Sequence, residues 1–564
     1  VATSLEKAKM TDTLTPGPTP GSPAAVAAEV DLSAYDPRRW WTLAVLCLSL
    51  LLVFVSNSSL NVAIPTLSRD LHATSSQLQW VVAVYSLVFA GLLFTTGSLG
   101  DRFGRKGALQ LGLVLFLVTA AFASQATAMW ELIGSRALMG AAAALIMPST
   151  MSILVNIFPP QERPKAIAIW ASVIGAAGAM GPLASGYLLG HFWYGSIFLV
   201  NVPIIAIALV AGAILVPRSR DPEQASLDPL GALLSIIGIS SIVYGLIQAP
   251  QQGWGSSTTL TAFAIGAVVL AVFCWWELRV DSPMLDIRLF RNRGFSTGTG
   301  GMILVFLAMF GVMFLMSQYL QLVLGYSALS TAVRLLPMAV IMITVAPLTP
   351  RLTRRFGANR TVAGGMLLVS FGFVLFSFLS PHTPYLYVLL CLIPLVAGIA
   401  LAMSPMTSSI MAAVPTRRAG EGSAMNDATR ELGAALGVAV LGSIAASRYT
   451  NLLAPSLRGL SPSATATARS SLTGALQAAH GLPPAAAHEL ITAANRAFVG
   501  GIHVAALTGV LLAAAAAGIV WRFLPATAVQ VEDFDEVDGP ASLSATDDVV
   551  EEPFVHGTAI LATE

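Results

Sequence analysis

The sequence predicts an all-α, polytopic membrane protein with fourteen transmembrane helices. Composition is one reason: 55% of the 564 residues are hydrophobic and 10% are charged, where a soluble domain carries roughly 25% charged residues. The apolar residues also fall into repeated runs of about 20, the length of helix that crosses a bilayer. Finally, the basic residues sort by side. An even number of spans puts both termini on one face. With that face cytoplasmic, 22 of the 30 Lys and Arg lie in cytoplasmic segments and 6 in outside segments, while Arg136 and Arg430 fall within spans. That bias orients the chain under the positive-inside rule and implies the cytoplasmic membrane.

In order, the spans run approximately over residues 41–63, 77–98, 108–127, 130–152, 166–189, 195–216, 229–249, 259–277, 297–320, 328–348, 361–380, 384–411, 425–446 and 499–521. Residues 1–39 are rich in Thr, Pro and Ala and are expected to be a disordered cytoplasmic segment. They hold no positively charged stretch running into a short apolar core, so no cleavable signal is expected. Residues 449–497 form an outside loop with a short helix expected around 485–498, and residues 524–564 an acidic, disordered cytoplasmic tail. Cys47, Cys274 and Cys391 all sit in apolar segments, with neither disulfide nor metal spacing.

The chain is organised around Gly97-Ser-Leu-Gly-Asp101-Arg102-Phe-Gly104-Arg105-Lys106, a charged glycine-rich turn between the second and third spans. Glycine permits tight turning and close helix approach, and contacts made by Asp101 could differ between two conformations. Leu352-Thr-Arg354-Arg355-Phe356-Gly357 echoes it faintly. The echo divides the chain into a six-helix bundle (40–217), an inserted two-helix linker (218–294) and a second six-helix bundle (295–523). Transporters built from two such halves hold substrate between them near the midplane.

The turn resembles the signature loop of the major facilitator superfamily, Gly-x-Leu-x-Asp-Arg-x-Gly-Arg-Lys, with every fixed position filled. The resemblance implies the major facilitator fold and a conformational latch formed by Gly97, Asp101, Arg102, Gly104 and Arg105. Other segments extend it over residues 40–525 and point to the fourteen-helix drug:proton antiporter branch. Gly178, Gly181, Pro182 and Gly186 resemble the fifth-helix antiporter motif, a place for close packing and a kink. Asn61-Val62-Ala63-Ile64-Pro65 resembles the end of the first-helix pattern, but Ser56 stands where that pattern carries Asp. Ala83 likewise stands where relatives carry an acid in the second span.

Four charged residues are candidates for proton coupling. Arg136 lies deep in the fourth span, where a charge is costly and faces the bundle interior. It either relays charge or is tied to carbonyls or to Glu131. Met139 replaces the Gln of the fourth-helix motif. Asp427, Arg430 and Glu431 open the thirteenth span, three and four residues apart on one helix face. Burial raises a carboxyl pKa and a nearby Arg lowers it, so Glu431 could load and release a proton; an interfacial charge cluster is the alternative. Asn57, Asn61, Gln318 and Gln321 are candidate cavity residues, and the two Asn side chains could equally bond a neighbouring helix. Phe306, Met309, Phe310 and Met313 add a pliable apolar surface.

The expected function is secondary active efflux of amphipathic small molecules by alternating access in exchange for protons. The alternative is export, or facilitated passage, of one endogenous metabolite or lipid with weak or no proton coupling. The expected partners are a small-molecule substrate, protons and the bilayer, with the protein a monomer; no nucleic acid, cofactor, metal or enzymatic activity is expected.

Overall fold

The structure is a computed structural model that describes residues 37–159, 161–218, 228–280, 283–414 and 419–526. The N-terminal segment up to residue 36 and the acidic tail beyond residue 526 lie outside the described residues. Among the described residues, fourteen helices are long and apolar enough to cross a membrane. They are α1 (Arg39–Asp70), α2 (Ser75–Phe103), α3 (Arg105–Gln125), α4 (Met129–Ile157), α5 (Arg163–His191), α6 (Ser196–Leu215), α7 (Pro229–Gln252), α8 (Ser257–Glu277), α9 (Arg293–Gln318), α10 (Ala328–Val345), α11 (Ala358–Phe376), α12 (Tyr385–Ala412), α13 (Ala419–Leu453) and α14 (Pro484–Phe523). No strand occurs among the described residues.

Capping chemistry sets several of these starts. Thr74 and Gln77 form a reciprocal box at the start of α2, and Ser256 and Asn292 accept from the first free amides of α8 and α9. The turn at the end of α2 shrinks to one residue. Gly104, at φ +112°, ends α2 and starts α3, a conformation in which an L side chain would be strained. Gly357, at φ +86°, does the same before α11, so the echo seen in the sequence is an echo in backbone geometry.

Helices α1 to α6 pack among themselves, with α2 on α4, α1 on α5 and α3 on α4 and α6. Helices α9 to α14 do likewise, with α9 on α13, α11 on α12 and α14, and α13 on α14. Helices α7 and α8 pair with each other, and α7 also packs against both α2 and α13.

Two expectations need correction. The short helix expected near 485–498 is not separate from the last span: α14 is one continuous helix of 40 residues. Its Ala-rich start has high intrinsic helix propensity. Gly500–Gly501 does not break it, because Gly501 lies against the Ala445 carbonyl of α13, where a side chain would not fit. The loop before it also carries two short helices, Pro462–Ser470 and Leu472–His480, held together by the Tyr449 hydroxyl, which donates to the Ala468 and Ser471 carbonyls.

The two bundles are bonded at the end opposite the Arg-rich turns. Gln321 donates to the Val62 carbonyl at 2.9 Å, Ser443 to Gln79 at 3.0 Å, and Gln477 to the Arg69 carbonyl at 3.3 Å. Gly186 of α5 approaches Ala328 and Leu329 of α10 so closely that an added Cβ would sit 2.8 Å from the Leu329 Cα. The innermost of the cross-bundle hydrogen bonds joins Ser86 to Glu431.

Candidate functional site

The site grows from a close approach of α4 and α2. A Cβ on Gly140 would lie 2.4 Å from the Tyr85 carbonyl oxygen, so glycine lets the two backbones touch. One turn away, Arg136 is fully buried. Its Nε donates to the Val81 carbonyl at 3.2 Å and its Nη2 to Asn57 Oδ1 at 2.9 Å. Its guanidinium lies 4.2 Å from the centre of the Tyr85 ring, a cation–π contact strengthened by the absence of water. Nη1 is buried without a hydrogen-bond partner. Glu131 is not its partner; that carboxylate caps the start of α4, accepting from the Thr127 and Ala128 amides.

The second bundle contributes Glu431 of α13, 8% exposed, whose Oε2 accepts from Ser86 Oγ at 2.5 Å. Glu431 also lies within the electrostatic reach of Arg136 across the interface and of Asp427 and Arg430 on its own helix. Asp427 and Arg430 pair at 3.7 Å, Arg430 lies 5.7 Å from the Phe306 ring centre, and Phe306 stacks on Phe310. Asn426 bridges Asp427 to Thr407. Glycines set this register too: Gly433 and Gly437 pack on the Ile303 and Leu307 backbone of α9.

The remaining candidate residues lie as follows. Asn57 is taken up by Arg136, whereas Asn61 is buried with its amide oxygen unpartnered. The Gln318 amide nitrogen donates to the Phe314 carbonyl of its own helix, and that of Gln321 donates to the Val62 carbonyl, tying α9 to α1. On α5, Gly181 packs on Ser58 and Val55 of α1, and Gly186 on α10. Gly178 meets nothing within 4 Å, so it serves no packing here. Pro182 lies within a helix continuous from Arg163 to His191. The hydroxyls of Ser58 and Ser59 accompany it, donating to the Ala177 and Gly181 carbonyls.

Ser56 is buried with its hydroxyl unpartnered. Ala83 faces Leu87, Ala435, Ala439 and, from the inserted pair, Val243 and Ile247; an acid there would be buried among alkyl groups. In the signature turn, Gly97 and Gly100 lie against Pro148 and Ser149 of α4, and Lys106 donates to the Ala213 carbonyl of α6 at 2.7 Å. Arg102 ends α2 and Arg105 begins α3; the Asp101 side chain lies outside the described residues. Beside this turn, Arg39 donates two hydrogen bonds to Glu162, at 2.7 and 3.2 Å, joining α1 to the start of α5. The Arg39 hydrogen bonds hold the Glu162 carboxyl below the usual range. Sequence reasoning missed Ser86 and Tyr85, and it gave the glycine of the fourth-helix motif, Gly140, no role of its own. Their roles exist only once α2 lies between α4 and α13.

The family model described as Major Facilitator Superfamily matches residues 46–438. The chain is 38% identical to "Multidrug efflux pump LfrA" of Mycolicibacterium smegmatis, over 86% of this chain and 96% of that one. It is 35% identical to "Methyl viologen resistance protein SmvA" of Salmonella typhimurium, over 82% and 93%. Among solved structures, a bacterial homologue of the human lysosomal transporter Spinster, in an inward-facing and unoccupied conformation, superposes with a TM-score of 0.61 at 18% identity, over 87% of this chain and 98% of that one. The chain belongs to the Major Facilitator Superfamily of membrane transporters.

Proposed function

We propose that this protein is a secondary active efflux transporter that moves amphipathic small molecules out of the cell by alternating access, in exchange for protons. The observation that carries the proposal is the position of Glu431. A carboxyl is buried at the contact of two bundles, and its hydrogen-bond donor, Ser86, and the Arg136 charge both belong to the other bundle. When the bundles part, Glu431 leaves those partners behind and keeps only Asp427 and Arg430. Its protonation is thereby tied to conformation, which is the requirement for exchange. The names of the relatives, a multidrug efflux pump and a methyl viologen resistance protein, support export of drug-like molecules.

With the Arg-rich turns in the cytoplasm, bonding at the opposite end makes this the inward-facing state. Outward opening then has to break Gln321–Val62, Ser443–Gln79 and Ser86–Glu431. The stacked Phe306 and Phe310, with Arg430 beside them, offer an aromatic wall for an apolar ligand. The signature turn latches the cytoplasmic side in the opposite state.

A second reading, passage of one endogenous metabolite or lipid without proton coupling, rests on Ser56 and Ala83, which leave the first bundle without the usual acids. One experiment separates the two. The purified protein is sealed into vesicles with an internal pH dye and an imposed acid-inside gradient, and lipophilic cations and methyl viologen are added. Exchange predicts that substrate collapses the gradient. Substrate uptake without a pH change favours the second reading.

A further inference from the structure

Two lateral seams separate the bundles, one between α2 and α13 and the other between α5 and α10, and they differ. The inserted helix α7 follows α2 along its length. Ser76 donates to the Ile247 carbonyl, Val243 and Ile247 pack with Ala83 and Leu87, and Ile236 lies against Gly91. Beyond α8, Met284 meets Thr95. From residue 76 to residue 95 is about 28 Å of helix, close to the full hydrocarbon thickness of a bilayer. On the other side of the seam, Ala435 and Ala439 of α13 belong to the same cluster, and Trp254 donates to Ser447.

The α5–α10 seam has no such cover. Its helices meet backbone to backbone at Gly186 and Leu329. Gly175 is eleven residues from Gly186, within about 20° of the same face and about 16 Å deeper, yet no atom lies within 4 Å of where its Cβ would be. Ala168, Ser172 and Gly175 of α5 are exposed. On α10, eleven residues beyond Leu329, Val340 is 59% exposed. The gap therefore widens toward the Arg-rich end and is lined by small and apolar side chains.

We propose that amphipathic substrates pass from the inner leaflet into the inward-open cavity through the slot between α5 and α10, and that the inserted pair α7–α8 closes the equivalent slot between α2 and α13. The occupant is a neutral or cationic molecule that partitions into lipid; the walls of the slot that meet it, α5 from Ala168 to Gly175 and α10 near Val340, carry no charged side chain. This inference rests on the efflux reading, and its test is built to fail separately.

The test narrows the slot from its lipid side with Val340→Trp and, from the other wall, Ala168→Trp. Leu511→Trp, at an exposed position on α14, is the control. Transport of a strongly lipid-partitioning cation and of water-soluble methyl viologen is measured in vesicles. The expected result is a rise in KM of tenfold or more for the lipophilic cation with either slot variant, less than twofold for methyl viologen, and no change with the control. Equal effects on both substrates, or none on either, overturn the inference. In parallel, a photoreactive side chain at Val340 or Ala168, and another at Ala435, is illuminated in vesicles holding tritiated phospholipid. Lipid capture in the slot but not at Ala435 supports the asymmetry even if no drug is transported; equal capture overturns it.

Discussion

Ser86 of α2 donates a 2.5 Å hydrogen bond to Glu431 of α13, and this bond joins the two bundles at the buried centre of the molecule. Among the described residues, neither has a second hydrogen bond across the interface, so one bond links the carboxyl to the arrangement of the two bundles. A hydrogen bond to a charged group contributes about 1.5–3 kcal/mol. Ser86→Ala should therefore leave the deprotonated carboxylate under-solvated and slow substrate-driven proton release roughly tenfold, with folding intact. Stopped-flow pH-dye traces beside a thermal melt check this. A fall in Tm with unchanged release would assign Ser86 to packing alone.

Under the proposed alternating access, the far-end bonds weight the balance between the two states. Losing one neutral hydrogen bond costs about 1 kcal/mol, roughly a fivefold change in a two-state ratio. Gln321→Ala and Gln79→Ala should each raise the outward-open population by about that factor. Spin labels at Asp70 and Ser463, both exposed on the far side, report it: the distance distribution should gain a longer component in each variant.

Gly140→Ala tests the contact that places Arg136. The new methyl would meet the Tyr85 carbonyl at 2.4 Å, and backbone cannot yield as a flexible side chain can. Overpacking of this kind costs about 1–3 kcal/mol. The variant should melt several degrees lower, whereas Gly178→Ala, where nothing lies within 4 Å, should melt as the parent does.

Arg39 and Glu162 lie within one bundle, so their pairing should affect stability and not the direction of transport. The Glu162 carboxyl is held below its usual range by Arg39. A lowered folded-state pKa gives stability that is present above the unfolded value and is lost as pH falls through the folded one. Arg39→Gln should thus lower Tm slightly at pH 7, and the difference should shrink as pH falls below the unfolded carboxylate range, with transport rates per folded molecule preserved.

The spans and the signature turn were legible because bilayer length and glycine spacing act locally. Gly104 and Gly357 adopt the positive φ that their turns demand. Glu431 itself was picked out in the sequence, as an acid at helical spacing from Asp427. Its partners were not, because Ser86 lies 345 residues away and only the packing of α2 against α13 brings it near. Gln321 is similar. Its amide nitrogen donates to the Val62 carbonyl, a tie from α9 to α1 that no local pattern signals. The join between residues 485–498 and the last span was not legible, because it goes with the packing of Gly501 on Ala445 of a different helix.

The most direct measurement is proton release on substrate addition by wild type, Glu431→Gln and Glu431→Asp in the same sealed vesicles. Release is expected from wild type, reduced release from Glu431→Asp, and none from Glu431→Gln. The Gln variant should still exchange labelled for unlabelled substrate, since it mimics the protonated side chain. Proton release from Glu431→Gln at the wild-type rate would contradict the claim that this carboxyl carries the proton.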